Sequence, residues 1–532
     1  MKGYNDLREH IANLEDNGLL VRVKREINKD TELHPLVRWQ YRGGIPEEER
    51  KAFLFENVVD CKGRKYPDQS VVVGVHAGSK YIYALGLGCK PEEIYEKWEH
   101  ALANPIAPVI VPDGPAREEI HIGKDLEADG GVGEFPIPIS TPGFDTAPFT
   151  TCSNWFSKDP ESKVQNTGNY RGHVKGRAKV GICLSGLGQD LLVHWNKCKD
   201  KGIPLEVALV IGAPLVVGYT AATKIPRGVD ELAVAGGLAG APIQVVKCKT
   251  VDLLVPAEAE IVFEGLMSTE YLEPEGPFGE SHGHMNPRQF NPYLEITAIT
   301  HRKNPVWSSW LSQVTPSESS CIKRDAYEAV FLNYLKRECR IGSLTKVVMH
   351  EALTNLRKVI FLQFKNPSPD DGWRALYATA SRDPGVGKIV VAVDEDIDPH
   401  NLDAVLWAMS YRMNPQNDVN IIGNRRVAHG PPFREVPLPV GGDPDPFDSA
   451  MLINALLKEP FPPVSLPKRE YMERAKQIWE ELGLPTLKPE SPWFGYSLGQ
   501  WTDENEEEAA LALKGEHYRT AEKLAARRIK AR

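Results

Sequence analysis

Apolar residues recur along this chain at two different periods, and the period changes in blocks. Leu7, Ile11 and Leu14 lie at helical spacing over residues 5–17, with Asn5 or Asp6 placed to cap the first turn. Short apolar runs at 52–58 and 70–75 and a helical pattern at 91–102 follow, the alternation of a small α/β unit that closes in the Pro-rich stretch 105–115. Residues 128–150 hold many Pro, Gly and Thr and read as a wrapping loop or a crossing. From 150 to about 315, β-branched runs dominate at 180–184, 206–211, 243–248 and 260–266, bounded by turn residues as in an antiparallel barrel or sandwich. Within that block 191–201 and 229–238 are helical. Residues 320–460 mix helices with strands such as 388–393. There Asp398 reads as an N-cap and Pro399 as the first helical residue, ahead of Leu402, Val405, Met409 and Met413 on one face. Pro462-Pro463 marks a hinge before a tail whose acidic run 503–508 and basic end 527–532 are solvated helix faces.

The predicted fold class is therefore α+β and multidomain. It comprises an N-terminal α/β domain (1–115), a central strand-dense domain (116–318), a C-terminal α/β domain (319–463) and a helical tail (464–532). Composition narrows the function classes. The 532 residues are 42% hydrophobic and 25% charged, ordinary globular values. Lys+Arg 63 against Asp+Glu 72 leaves −9, spread without the basic face that nucleic acid demands. Eight cysteines with no C-x-x-C pair read as reduced thiols, neither disulfide framework nor zinc site. No apolar window approaches the ~18 residues of a membrane span, and the N-terminus carries no apolar leader. A soluble, cytoplasmic protein is expected.

Four clusters could carry chemistry. In Pro274-Glu275-Gly276-Pro277-Phe278-Gly279-Glu280-Ser281-His282-Gly283-His284, two carboxylates sit five residues apart across a Gly/Pro turn. Unlike environments would split their pKa values, leaving one ionised and the other a proton donor; an exposed acidic turn is the plainer reading. His282 and His284 extend the cluster but lack matching carboxylates for a metal. Asn166-Thr167-Gly168-Asn169-Tyr170-Arg171 aims backbone N–H groups and a guanidinium at an anion, or forms a simple hairpin turn. Gln189-Asp190 with His194 makes an i,i+4 pair that holds a metal or hydrogen-bonds at the surface. Glu231 closes Pro226-Arg227-Gly228-Val229-Asp230-Glu231, a helix start whose first turn favours acidic residues.

In order and spacing these segments resemble the UbiD family of reversible decarboxylases over nearly the whole chain. The opening helix from Leu7 and the strand Phe53-Leu-Phe-Glu-Asn-Val carry the resemblance first. The central block adds Asp159-Pro-Glu, Asn166 to Arg171, Val246-Val-Lys-Cys, Val255-Pro-Ala-Glu-Ala-Glu-Ile-Val-Phe-Glu-Gly and Pro274-Glu-Gly-Pro-Phe-Gly-Glu. Asp394-Glu-Asp-Ile-Asp and Leu406-Trp-Ala-Met-Ser-Tyr-Arg-Met complete it.

The resemblance implies that the central domain is a split β-barrel binding prenylated FMN with a divalent metal and K+, and that the C-terminal domain mediates oligomerisation. Arg171, Glu275 and Glu280 would form a Glu–Arg–Glu catalytic network. Asn166 and Glu231 would ligate the metal. Gly168, Asn169 and Tyr170 would border the cofactor phosphate, with Arg171 and Gln189 beside the cofactor. Ala221, Ala222 and Thr223 would line the cofactor and K+ site, and Arg382 would approach the flavin. One position departs from the family pattern: read back from Gly202-Ile203-Pro204, the metal-binding histidine falls on Asp190, after the expected Gln189. A carboxylate still suits a hard divalent ion, so Mn2+ is expected, with Fe2+ or Mg2+ as alternative occupants and His194 as an alternative ligand.

The implied reaction is non-oxidative and reversible: a covalent flavin adduct, loss of CO2 from an aromatic or conjugated acid, and protonation by Glu280. Arg171 would hold the substrate carboxylate or tune Glu275. The substrate would be a free acid or an aromatic CoA thioester, and a flavin prenyltransferase would supply the cofactor. A homo-oligomer, dimer or hexamer, is expected, with the Leu402–Met413 face contributing. The competing readings are an FMN-dependent oxidoreductase on a split barrel and a non-catalytic subunit of a carboxylase complex.

Overall fold

Two very short connections set the shape of the central domain. In the computed structural model, which describes residues 6–127, 130–184, 189–223, 225, 229–354, 357–383, 385–425 and 448–530, the main sheet is antiparallel. Its order is Gln165–Asn169, Ser153–Lys158, Leu205–Ile211, Ile261–Met267, Tyr293–His301, Lys179–Ile182, Gly172–Gly176 and Phe149–Thr150. Only Tyr170 and Arg171 separate the first strand in that order from the seventh, and only Thr151 and Cys152 separate the last from the second. Two residues span too little distance to cross an open sheet of this width. The sheet therefore curls into a half-barrel whose two edges approach each other at Thr151–Cys152 and Tyr170–Arg171. The strand Glu119–Ile122 adds to it, pairing with the far half of Tyr293–His301.

Both faces of this sheet are buried, which is why its strands read as near-continuous apolar runs. On Leu205–Ile211, the side chains of Val207, Leu209 and Ile211 join Trp155 and Phe263 in one core, while Ala208 and Val210 join Leu215, Val217 and Val234 in the other. The helices Leu215–Ala222 and Glu231–Ala239 are apolar almost all round and largely buried, as such helices must be.

The first domain has a four-stranded sheet, Leu20–Val23, Ala52–Phe55, Ser70–Val73 and Val306–Ser309. Its last strand pairs parallel with Ser70–Val73 although it follows the half-barrel in sequence; the chain leaves the central domain, completes the first sheet and only then enters the third domain. The first helix, Leu7–Asp16, is capped by Asp6, which accepts from Glu9 N at 2.8 Å. It is tied to the half-barrel by Arg8, whose guanidinium donates to both oxygens of fully buried Glu260 at 2.8 Å each. The third domain holds the sheet Leu344–Met349, Val359–Phe364, Ile389–Asp394, Asp448–Asn454 and Val419–Arg425, flanked by the helices Glu318–Asn333, Asp371–Arg382 and Leu402–Arg412. Tail helices Arg469–Glu481, Asp503–Leu513 and His517–Ala525 bury no residue fully. Among the described residues no helix is long and apolar enough to cross a membrane.

Some sequence expectations shift. The run 243–248 forms Gln244–Lys247 in a separate three-stranded sheet, outside the barrel. The helix expected from Asp398 starts at Leu402, because the Asn401 side chain accepts from Asp403 N and Ala404 N while Asp398 closes a tight turn on His400 N. On that helix Val405 packs into the third domain with Met409 and Met413 against the same cluster, whereas Leu402, Leu406 and Tyr411 are the exposed apolar residues. Asn5, Pro226, Arg227, Gly228 and the last two residues of the basic end lie outside the described residues.

Three buried histidines line the seam between the first domain and the half-barrel. His10 Nε2 meets Val75 O at 2.8 Å, His34 Nε2 meets Ser309 Oγ at 3.0 Å, and His76 lies edge-on to Trp310. Burial lowers their pKa values to about 4, about 3 and about 3 respectively. The folded state keeps them neutral while the unfolded chain protonates near 6.5, so their stabilisation is complete above that pH. It declines as pH falls towards the folded values, by at most about 1.4 kcal/mol per pH unit for each histidine. The thermal midpoint should therefore drop between pH 6.5 and 4, and the drop should be shallower in His10→Gln, whose amide can still donate to Val75 O.

Candidate active site

Arg171 stands where the chain crosses from one edge of the half-barrel to the other. Its Nε and Nη2 donate to Glu275 at 2.8 and 2.9 Å, and its Nη1 donates to Glu280. The guanidinium also lies 5.0 Å from the centre of the Phe278 ring. Side-chain exposure separates the two acids: Glu275 is sealed at 1% and Glu280 reaches solvent at 20%.

Both glutamates are delivered by one bent ribbon. Glu273–Glu275 pairs with Gln289–Asn291, and Phe278–Gly279 pairs with Met285–Asn286. Gly276, at φ +88°, makes the bend between them, a conformation that favours glycine. The bend is held by Thr146 Oγ1 and Arg288 Nε donating to Gly276 O, and by Gly276 N donating to His173 Nδ1 at 3.3 Å. His282 Nε2 meets Asn286 Oδ1, and its Nδ1 accepts from His284 N, so that ring braces the turn.

The electrostatics are those of a buried charged network. Burial works against the Arg171 charge, but Cys183, Glu275 and Glu280 together hold its pKa well above the ordinary value. Burial lowers His173 to about 4, keeping it neutral against the Phe149 ring. Burial raises Asp145 to about 6 although Thr141 N donates to it at 2.7 Å and Arg171 pulls the other way. Lys323, on the helix Glu318–Asn333, is lowered to about 8 by burial and by Arg357, with Glu280 opposing. Sequence reasoning gave none of Cys183, Asp145, His173 or Lys323 a place in the site; His173 follows Arg171 by two residues, whereas Asp145, Cys183 and Lys323 come from separate segments that the tertiary fold brings near the network.

A second group forms at the neighbouring edge strand. Gln165–Asn169 is a strand of the half-barrel, not a hairpin turn. The Asn166 amide, in its hydrogen-bonded orientation, donates to Glu231 Oε1 at 3.1 Å and accepts from Thr167 N. Glu231 opens the helix Glu231–Ala239, which is capped by Asp230. Burial raises Glu231 to about 7, with Asp190 and Asp230 as further acidic neighbours. Asp190 opens the helix Asp190–Asp200 after Gln189, and both Asp190 and Glu231 lie beside the Tyr170 hydroxyl. His194, one turn on, has its Nδ1 2.8 Å from Ser157 Oγ.

Asn166, Glu231 and Asp190 therefore converge around Tyr170, a donor set suited to a hard divalent ion. Asn169 spends its amide on the backbone of Ser153 and Thr151. A Cβ on Gly168 would fall 2.6 Å from the Tyr170 ring, so only glycine allows that ring to lie against the strand. Thr223 caps the helix Leu215–Ala222, which carries Ala221 and Ala222 in its last turn and packs on this strand. The Arg382 guanidinium stacks on Phe331 and Tyr334 in the third domain, with Nη1 buried and unpartnered.

Models of three domains of 3-octaprenyl-4-hydroxybenzoate carboxy-lyase match the chain in order: the N-terminal domain at residues 11–102, the Rift-related domain at 110–314 and the C-terminal domain at 322–455. Together with the buried Glu–Arg–Glu network, this architecture defines a carboxy-lyase. The chain belongs to the UbiD family. A phenolic acid decarboxylase of Sedimentibacter hydroxybenzoicus is 29% identical over 502 residues, covering 90% of this chain and 97% of its own. Among solved structures, an evolved dimeric form of the UbiD-class enzyme HmfF from Pelotomaculum thermopropionicum, in complex with prFMN, superposes with TM-score 0.73 at 29% identity, over 87% of this chain and 97% of that one. The closed form of S. hydroxybenzoicus vanillic acid decarboxylase gives 0.74 at 28% identity, over 91% and 100%.

Removing Glu275 leaves the Arg171 charge buried with one acid in place of two. Glu275→Ala should lower stability by about 3–5 kcal/mol, the usual cost of breaking a buried pair, read as a lowered denaturation midpoint.

Proposed function

We propose that this protein is a reversible, non-oxidative decarboxylase of an aromatic or conjugated carboxylic acid, taken as the free acid and using prenylated FMN bound in the half-barrel. The observation that carries the reading is the Glu275–Arg171–Glu280 network, one acid sealed and one open to solvent. Buried polar atoms support a bound cofactor: Thr167 Oγ1 and Asn154 Nδ2, on adjacent paired strands, have no partner. Asn166, Glu231 and Asp190 would hold a divalent ion, Mn2+ in first place, against the cofactor phosphate. The carbonyl groups at Ala221, Ala222 and Thr223, at a helix C-terminus, suit K+. The related enzymes named for phenolic and vanillic acids favour a free acid over a CoA thioester.

When bound, the modified flavin supplies the electron sink that loss of CO2 from an sp2 carbon requires. The chain's own groups do the rest. Lys323, within electrostatic reach of Glu280, adds a positive charge beside the network that suits a substrate carboxylate. Arg171, held by Glu275 through Nε and Nη2, stays charged and keeps Glu280 in position through Nη1. Glu280, as a carboxylic acid, donates its proton to the carbon that lost CO2 and recovers one from solvent through the open side of the site. In the reverse direction the same carboxylate accepts the proton. The exposed Leu402, Leu406 and Tyr411 of the third domain offer a homo-oligomer contact.

The test is coexpression with a flavin prenyltransferase, followed by a panel of aromatic and conjugated acids assayed for CO2 release and solvent H/D exchange. Glu280→Gln should lower both rates by at least about 10²-fold, the usual scale of positioned acid catalysis. Wild-type rates in that variant would remove Glu280 from the mechanism. A bleachable, hydride-reducible FMN spectrum would favour an oxidoreductase, and no exchange in the loaded protein would favour a non-catalytic subunit.

A further inference from the structure

A separate cluster of metal-ligating side chains lies where the crossing into the half-barrel meets its longest strand. His121 is on Glu119–Ile122, His301 ends Tyr293–His301, and Glu134 closes the short helix Gly131–Glu134. Among the described residues this is the only group of three His, Cys, Asp or Glu side chains whose ligand atoms all lie within 4.8 Å of one another. His121 Nε2 and His301 Nε2 are 3.1 Å apart, and Glu134 Oε1 is 3.8 Å from His301 Nε2. Two nitrogens bound at about 2.0–2.1 Å to one tetrahedral zinc lie about 3.3 Å apart, so the pair is already near binding separation, and each ring turns by about 35° to aim its lone pair at a shared ion.

The surroundings orient the donors. The His301 Nδ1–H points at Arg302 O, 2.8 Å away, which fixes the tautomer that leaves a lone pair on Nε2. The two imidazole planes differ by only 8° with centroids 5.2 Å apart, and nitrogens 3.1 Å apart at that centroid separation put the rings nearly head to head. Phe135 packs edge-on against His301 at 5.4 Å. The Glu134 backbone is pinned from three sides: Val132 N donates to Arg177 O, Arg64 donates to Gly133 O, and Gln69 donates to Glu134 O. His301 is buried whereas His121 and Glu134 are partly exposed, which gives an ion a way in.

We propose that His121, His301 and Glu134 form a second divalent-metal site, distinct from the one at Asn166, Asp190 and Glu231, that takes Zn2+ and clips the crossing segment to the half-barrel. Two imidazoles and a carboxylate are a borderline-soft set that suits zinc, with water in the fourth position, and it offers too few oxygens for Mg2+ or Ca2+. His121 binds through Nε2 with its proton on Nδ1. Without the metal, the same two nitrogens share one proton in an Nε2–H···Nε2 hydrogen bond.

The experiment uses the full-length protein stripped by chelation, titrated with Zn2+ and separately with Co2+. The arms are wild type, His121→Gln, Glu134→Gln and the double variant Asp190→Asn/Glu231→Gln. The proposal expects one tight equivalent of Zn2+ that the double variant keeps. It expects that equivalent to bind at least about tenfold more weakly in His121→Gln and Glu134→Gln. Co2+ should give the visible bands of a four-coordinate site in wild type and the double variant, and Zn2+ should raise the thermal midpoint of those two proteins alone. Glu134→Gln, a change at a partly exposed position, keeps the test open if His121→Gln fails to fold. Equal zinc uptake in all four proteins, or uptake lost only in the double variant, overturns the site. No uptake by wild type shows a hydrogen-bonded histidine pair and also overturns it.

Discussion

The buried guanidinium of Arg171, clamped by two carboxylates, is the interaction around which the molecule is arranged. A charge so far from water persists only if its partners are close and fixed. The bidentate contact with Glu275 supplies the larger part, and Glu280 completes it from the solvent side. Each partner arrives on a separate piece of chain. Arg171 sits on a two-residue crossing between sheet edges, and the glutamates sit on a ribbon bent at Gly276. Keeping the three together therefore requires the half-barrel to be curled and the ribbon to lie across its opening.

That requirement explains the packing on the outside. A curled sheet with a charged network at its seam needs both faces covered, and the two apolar helices, the first domain and the N-terminal helix cover them. Glu260, buried on the strand side, receives Arg8 from the first helix, and Val306–Ser309 returns to close the first sheet. The first domain is thus interlocked with the central one by a strand and an ion pair. The histidines at this seam stay neutral because burial disfavours their charged form.

Much of this was legible in the sequence, and what was not has identifiable causes. β-branched runs locate three strands of the half-barrel, Lys179–Ile182, Leu205–Ile211 and Ile261–Met267, and the turn residues of 274–280 flag the ribbon because Gly and Pro there demand a bend. Residue type and spacing mark the clusters that hold Asn166, Arg171, Glu231, Glu275 and Glu280, the family resemblance pairs them, and the structure brings Asn166 to Glu231 and Arg171 to both glutamates. Strand partners were not legible: nothing local shows that Val306–Ser309 belongs with Ser70–Val73, or that 244–247 leaves the barrel. The helix starts at Leu402 and not after Asp398: Asn401 and Asp398 are both good caps, and the Asn401 side chain takes the first-turn N–H groups while Asp398 closes on His400 N. Asp145, Cys183 and Lys323 carry no local signal, since their meaning comes from lying beside Arg171 or Glu280. Arg382, which the family resemblance places towards the flavin, is stacked on two aromatic rings of its own domain.

Delivery of a solvent-derived proton, without net redox change, to the carbon that loses CO2 is the centre of the account, and Glu280 is the acid of the network that reaches water. The most direct measurement is turnover of an accepted acid in deuterium oxide by the loaded enzyme, with the product analysed by mass and NMR. The account predicts one deuterium, located at the carbon that carried the carboxylate, together with solvent exchange at that carbon in the product alone. Product formed without deuterium at that carbon, or formed only with net oxidation or reduction of the flavin, would contradict it.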